Sequence, residues 1–297
     1  MLARIGTVLC ALSLLATSGL SQPLRGVSPD IALACGDREG WSDPAPPAHI
    51  HGRSFYVGTC GVTVVLIETP AGLVLIDSGP KEATAHVLEN LRRLGFEPRQ
   101  VKWILSTHEH FDHGGGIAAL MKVTGAQLAV GPRAAAALRS GKPFPDDPQL
   151  ELLAKDPMAP ARVDRVLADG TALSVGGIAF TAHATPTHSP GSTSWTWPSC
   201  EKDKCLTIAY ADSVSTISSD SYRFTRHPQR VEAARQGLQV IESLPCDLML
   251  TPHPSASDLL RRLSGKAALI DASACATYAR SGRKNLAERL ETEQAKP

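Results

Sequence analysis

After residue 60, short apolar runs and strict alternations give way, in turn, to stretches whose apolar residues recur at helical spacing. "VTVVLIETPAGLVLIDSG" predicts two β-strands, Val62 to Glu68 and Leu73 to Asp77, joined by a turn at Pro70, Ala71 and Gly72. Lys81 to Leu94 carries Ala83, Val87, Leu91 and Leu94 on one helical face and stops at Gly95. "VKWILST" predicts a buried strand that runs straight into "HEHFDHGGG", after which the glycines open a helix to about Val123 and "AQLAV" makes another strand. Arg133 to Leu138 reads as a helix and "SGKPFPDDPQL" as a proline-rich surface loop.

Strands resume in "ARVDRVLADG", "TALSVGGIAFTAHAT" and "CLTIAYAD", with a hairpin around Cys200 to Cys205. Gln229 to Leu244 shows a helical stripe of Val231, Ala234, Leu238 and Ile241; "CDLMLTPHP" is a strand, and Ala267 onward is mostly helix. Strands mixed with helices in both halves predict an α/β fold of sheets covered by helices on their outer faces. The proline-rich loop is the best candidate boundary, yet the candidate site draws on both sides of it, so residues 22–297 are expected to form one domain.

Composition narrows the class. The 297 residues are 43% hydrophobic and 20% charged with a formal charge of +1, an ordinary globular balance without the basic excess of a nucleic-acid partner. The first 21 residues place one arginine before an apolar run from Ile5 to about Ala16 and then small residues, the order of a secretory signal. That run falls short of the roughly 20 residues of a membrane span. The mature chain is expected to begin near Gln22, to be exported to the periplasm and to keep no stable membrane association. Of seven cysteines, Cys10 leaves with the signal, and an even set remains: Cys35, Cys60, Cys200, Cys205, Cys246 and Cys275. In an oxidising compartment these suggest disulfides. The spacing of Cys200 and Cys205 favours a local staple; the other four are open to several pairings or to free buried thiols.

The chemistry concentrates at residues 108–113. His108 and His110, two apart on an extended backbone, project to one side roughly 6 to 7 Å apart, a spacing that two ligands of one metal ion can use. Glu109 points the other way. Asp112 and His113 converge only if the chain turns, which Gly114 to Gly116 permit, so one loop can feed two metal ions. A solvated helix N-terminus capped by Asp112 accounts for one such residue, not four. Imidazole ligands suit zinc, although iron, copper and nickel also take them.

The pattern "HEHFDH" resembles the H-x-H-x-D-H motif of the metallo-β-lactamase superfamily, and the similarity runs on through "LVLIDSG", "THSPGSTSW", "YADSVS" and "LTPHPS". The resemblance implies a four-layer αβ/βα sandwich, two mixed sheets flanked by helices, with two zinc ions at one edge. His108, His110 and His188 would hold the first ion, and Asp112, His113 and His253 the second; His183 competes locally with His188. In glyoxalase II and related thioesterases an aspartate bridges both metals, and Asp212 falls where that residue would. The third subclass of zinc β-lactamases is the closer likeness, through Ser213 and Ser215 of "ADSVS", through "PCDLMLTPHP", and through export with disulfides. It implies the pairs Cys35–Cys60, Cys200–Cys205 and Cys246–Cys275, and an Asp212 that is not a ligand.

The expected function is hydrolysis of the β-lactam ring of penicillins, cephalosporins and carbapenems by a zinc-bound hydroxide, conferring antibiotic resistance. Asp112 would orient the hydroxide, Ser213 and Ser215 would bind the substrate carboxylate, and the enzyme is expected to act as a monomer on small molecules. A glyoxalase II-like thioesterase or a lactonase of the same fold is the alternative.

Overall fold

The computed structural model describes residues 27–28 and 30–295; the expected export signal, residues 1–21, lies outside them. Along the chain, β1 (Ala48–His51), β2 (Ser54–Tyr56), β3 (Val65–Thr69), β4 (Gly72–Ile76), β5 (Val101–Leu105), β6 (Gln127–Val130) and β7 (Arg165–Val166) form one sheet in sequence order. In the other sheet, β8 (Ala172–Val175), β9 (Ile178–Ala184), β10 (Thr193–Glu201), β11 (Lys204–Tyr210) and β12 (Leu248–Leu250) lie in reverse order. Both sheets are mixed: β4, β5, β6 and β7 pair in parallel, as do β11 and β12, and the other pairings are antiparallel.

Helices cover the outer faces. The principal ones, with the short turns between them, are α1 (Ile31–Cys35), α2 (Thr84–Arg93), α3 (Phe111–Gly114), α4 (Ile117–Thr124), α5 (Pro132–Ser140), α6 (Leu150–Leu153), α7 (Pro228–Glu242), α8 (Leu259–Leu263) and α9 (Ala274–Ala295). The apolar runs of the central strands follow from burial on both faces. Val65, Ile67, Val74 and Ile76 face the other sheet, where they meet Trp195, Trp197 and Tyr210. Their neighbours Leu66, Leu73 and Leu75 point outward onto Val87, Leu91, Ile117 and Leu120 of α2 and α4. On the far side Ala209 and Met249 back onto Val231 and Leu238 of α7 and Ala279 and Leu286 of α9. The result is a four-layer αβ/βα sandwich.

Several elements differ from the sequence expectation. β1 and β2 form a hairpin over Gly52, whose φ of 56° suits the turn; its strands are too short to leave a periodic signal. "ARVDRVLADG" contributes only the two residues of β7. Helix α9 begins at Ala274, because residues 267–273 are an irregular segment in which Ala268 and Leu269 accept from Arg262 of α8. Disulfides join Cys35 to Cys60, Cys200 to Cys205 across the β10–β11 hairpin, and Cys246 to Cys275 at the start of α9. Among the described residues no helix is long and apolar enough to cross a membrane.

Trp195 links core to site: it is fully buried between the sheets, and its indole N–H donates to Ser106 O at 3.0 Å, at the root of the histidine loop. Trp195→Ala is expected to cost about 3–5 kcal/mol in urea unfolding. A loss below about 1 kcal/mol contradicts this placement.

A candidate metal centre at the strand ends

The C-terminal ends of β4, β5, β11 and β12, and the β9–β10 connection, open on one edge of the sandwich. Asp77 follows β4, His108 to His113 follow β5, His188 lies in the β9–β10 loop, Asp212 to Ser215 follow β11, and His253 follows β12. Strand ends that share a direction leave their loops in one crevice, which is how residues far apart in sequence meet.

The histidine segment is a built loop, not a strand continuation, since β5 ends at Leu105. Asp77, fully buried with φ 64°, accepts from Thr107 N at 2.7 Å, from the Thr107 hydroxyl at 2.8 Å and from the Tyr210 hydroxyl at 3.0 Å. The chain then turns through α3, which carries Asp112 and His113. Ser78 secures that turn, donating its hydroxyl to His113 O at 2.6 Å and accepting from Gly116 N at 3.1 Å. A Cβ at Gly115 would stand 2.2 Å from Phe111 O, so the turn requires glycine there.

Two groups of side chains meet. Inward ligand atoms of His108, His110 and His188 lie within 4.8 Å of one another. Beside them, Asp112 Oδ2 is 3.1 Å from His113 Nε2 and 3.3 Å from His253 Nε2, and those two nitrogens are 3.4 Å apart. His108, Asp112 and His113 atoms also fall within 4.8 Å of each other, so His108 borders both groups. His183 is not among them: it sits on β9 with its ring paired to the Thr196 hydroxyl at 2.8 Å.

Four of the rings are held from behind by hydrogen bonds. His108 Nδ1–H donates to Asp212 Oδ1 at 2.9 Å, His110 Nε2–H to Asp147 Oδ2 at 2.9 Å, His188 Nδ1–H to Ser215 Oγ at 2.8 Å, and His253 Nδ1–H to Gly61 O at 2.9 Å. His113 Nδ1 stands 3.4 Å from Asp77 Oδ2. The four hydrogen bonds fix the tautomers of His108, His110, His188 and His253 and turn the other nitrogen of each of those rings inward as a lone pair. His108 Nε2 is buried with no hydrogen-bond partner. A buried lone pair among other inward lone pairs, next to a carboxylate, fits a cation, and this imidazole and carboxylate set fits a zinc-type ion.

Electrostatics agree with that fit. Burial, with His110 and His108 nearby, holds the His188 imidazole well below its usual pKa, so it stays neutral. Burial also opposes charge on His113, but the Asp112 and Asp77 carboxylates prevail and push it up to about 10. Burial likewise works against the Asp212 carboxylate, yet the His108 ring prevails and lowers its pKa to about 2. Loading a cation would therefore displace protons from rings such as His113.

The clusters floor a cleft of about 570 Å³ that Trp41, Gln149, Leu152, Ser213, Ser215 and Ile217 help to line. Trp41 packs 5.8 Å from the His253 ring and 5.5 Å from Phe111, centroid to centroid. Leu152 and Ile217 are also solvent-exposed apolar side chains. Ser213 and Ser215 do face the same side, with hydroxyls 3.3 Å apart.

Asp147 escapes a reading of the sequence alone. It belongs to the proline-rich stretch expected to be a surface loop, but it is 2% exposed, and Gln149 two residues on places its amide nitrogen 3.2 Å from His188 Nε2. The only signal was two adjacent aspartates among prolines, which also reads as a solvated turn.

Comparison with known proteins places this geometry. Residues 57–201 match the metallo-beta-lactamase superfamily. The crystal structure of metallo-β-lactamase MIM-1 from Novosphingobium pentaromativorans is 51% identical, with 90% of this chain and 99% of that one covered and a TM-score of 0.88. MEM-A1, a subclass B3 metallo-β-lactamase from a soil metagenome library, is 36% identical over 87% of this chain and 100% of that one, with a TM-score of 0.80. A probable metallo-hydrolase of Burkholderia pseudomallei is 30% identical over 162 residues, 51% of this chain and 48% of that one. The chain spans about half the length, or less, of the curated relatives it matches.

Asp212→Asn leaves the His108 ring with a weaker acceptor. It is expected to lower zinc affinity about 10–100-fold in chelator competition; unchanged affinity contradicts the orienting role.

Proposed function

Because the chain belongs to the metallo-β-lactamase superfamily, we propose that it is an exported zinc hydrolase that opens the β-lactam ring of penicillins, cephalosporins and carbapenems and so confers antibiotic resistance. In this reading residues 1–21 direct the chain to the periplasm, where it acts as a monomer. The observation that carries the reading is the side of His108 on which Asp212 lies. Asp212 accepts from Nδ1, behind the ring, whereas the inward Nε2 faces the other ligand candidates. A carboxylate bridging two metals would have to lie on the Nε2 side. That side of the ring favours the β-lactamase reading over the thioesterase alternative.

His108, His110 and His188 would hold one zinc ion and Asp112, His113 and His253 a second. Zinc held there would lower the pKa of a water from about 16 to about 7 and would polarise a carbonyl. The chain's own groups do the rest. Asp112 accepts a hydrogen bond from the attacking water and orients it toward the lactam carbonyl. His188 already donates to Ser215 Oγ, so Ser215 accepts on its oxygen and keeps its own proton as a donor. Ser213 and Ser215 together donate to the substrate carboxylate. Trp41, Leu152 and Ile217 meet the substituents of the substrate along the cleft rim.

With a chromogenic cephalosporin offered beside a glutathione thioester, cephalosporin turnover is expected, abolished by chelator and restored by zinc. Turnover of the thioester alone overturns the reading. Ser213→Ala is expected to raise KM for a carboxylate-bearing cephalosporin roughly tenfold, the loss of one charge-assisted hydrogen bond of about 1.5 kcal/mol. An unchanged KM removes Ser213 from the carboxylate site.

A further inference from the structure

The loop carrying His188 is closed at its base, where Thr185 N donates to Ser192 O at 3.0 Å and Thr193 N reaches Thr107 O at 2.7 Å. Between those ties, two buried charged side chains from distant elements grip its backbone. Glu109, set between His108 and His110 and 1% exposed, accepts from Gly191 N at 2.9 Å and from the Ser189 hydroxyl at 3.1 Å. Arg230 of α7, 6% exposed, donates through Nη1 to Pro186 O and through Nη2 to Thr187 O at 2.8 Å. The approach of Glu109 is close: a Cβ on Gly191 would stand 2.3 Å from its Oε2. Neither side chain belongs to the two ligand groups.

We propose that Glu109 and Arg230 are positioning residues for His188, with Glu109 fastening the loop of the third histidine to the segment that bears the first two. This rests on the zinc-site reading above. His108 and His110 share one short segment, so their spacing is largely local. His188 comes from the other sheet, and its distance from them has to be set across the sandwich. A metal site tolerates displacements of only about 0.5 Å. A carboxylate taking two hydrogen bonds, one from the loop's backbone, and a planar guanidinium capping two successive carbonyls leave the loop little freedom. Removing either partner strands buried polar groups of the loop. Glu109, facing away from the ligands, acts through the backbone of the β9–β10 loop.

The test is a zinc titration of the full-length mature protein followed by the imidazole ¹⁵N resonances of His188 and His253, for the wild type, Glu109→Ala, Glu109→Gln and Arg230→Lys. In Glu109→Ala the free zinc needed for half of the His188 response is expected to rise about 10–100-fold, with the His253 response unchanged. Glu109→Gln, which keeps an acceptor for Gly191 N and can still bond Ser189, is expected to restore the His188 response. Arg230→Lys, lacking the planar fork, should follow Glu109→Ala and carries the test if that variant does not fold. Wild-type responses at both rings in Glu109→Ala overturn the proposal, as does an equal weakening of both, which marks a general structural role. No zinc response at either ring of the wild type overturns the zinc-site reading and this proposal with it.

Discussion

An imidazole has two nitrogens, and a neutral ring can offer a lone pair inward only if its other nitrogen, carrying the proton, is satisfied outward. The site depends on meeting that condition for several rings at once, in a buried place where water cannot do it. Asp212, Asp147, Ser215 and Gly61 O supply the outward partners of His108, His110, His188 and His253. The partners come from three loops, with Asp212 and Ser215 sharing the one that follows β11. Nothing local could arrange this, because the outward partner of one ring is on a segment remote from the ring itself.

The sandwich meets the condition by aiming its loops at one edge. Parallel pairing of β4 with β5 and of β11 with β12 brings four strand ends to that edge, and the double burial of their apolar runs fixes the register. The supports are themselves tied down. Gly61 adjoins the Cys35–Cys60 bridge, and Tyr278 of α9, just beyond Cys275, accepts from Val214 N at 3.3 Å between the two cleft serines. Cleft wall and candidate metal ligands are therefore mechanically linked. The 147–149 stretch holds His110 with one side chain and reaches His188 with another.

What the sequence makes legible follows from how local the cause is. The strands β3 and β4 are visible because each alternates between two buried layers, and the ligand-rich segment 108–113 because its side chains are adjacent and a glycine turn follows. His188 and His253 carry no such local signature and are legible only through the family resemblance. Asp147 stayed hidden because its burial depends on where a polar loop docks, and a polar loop shows no periodicity. Asp212 is ambiguous in the sequence for another reason: its position along the chain does not say which face of an imidazole it meets, and that face decides between bridging and orienting.

These inward nitrogens and the Asp112 carboxylate are expected to take zinc. Zinc K-edge X-ray absorption of the zinc-loaded mature protein reads this directly. A first shell of nitrogen and oxygen at about 2.0–2.1 Å, with the outer-shell scattering of imidazole rings and no sulfur, is expected. A shell without imidazole scattering, or one with sulfur at about 2.3 Å, contradicts this ligand set.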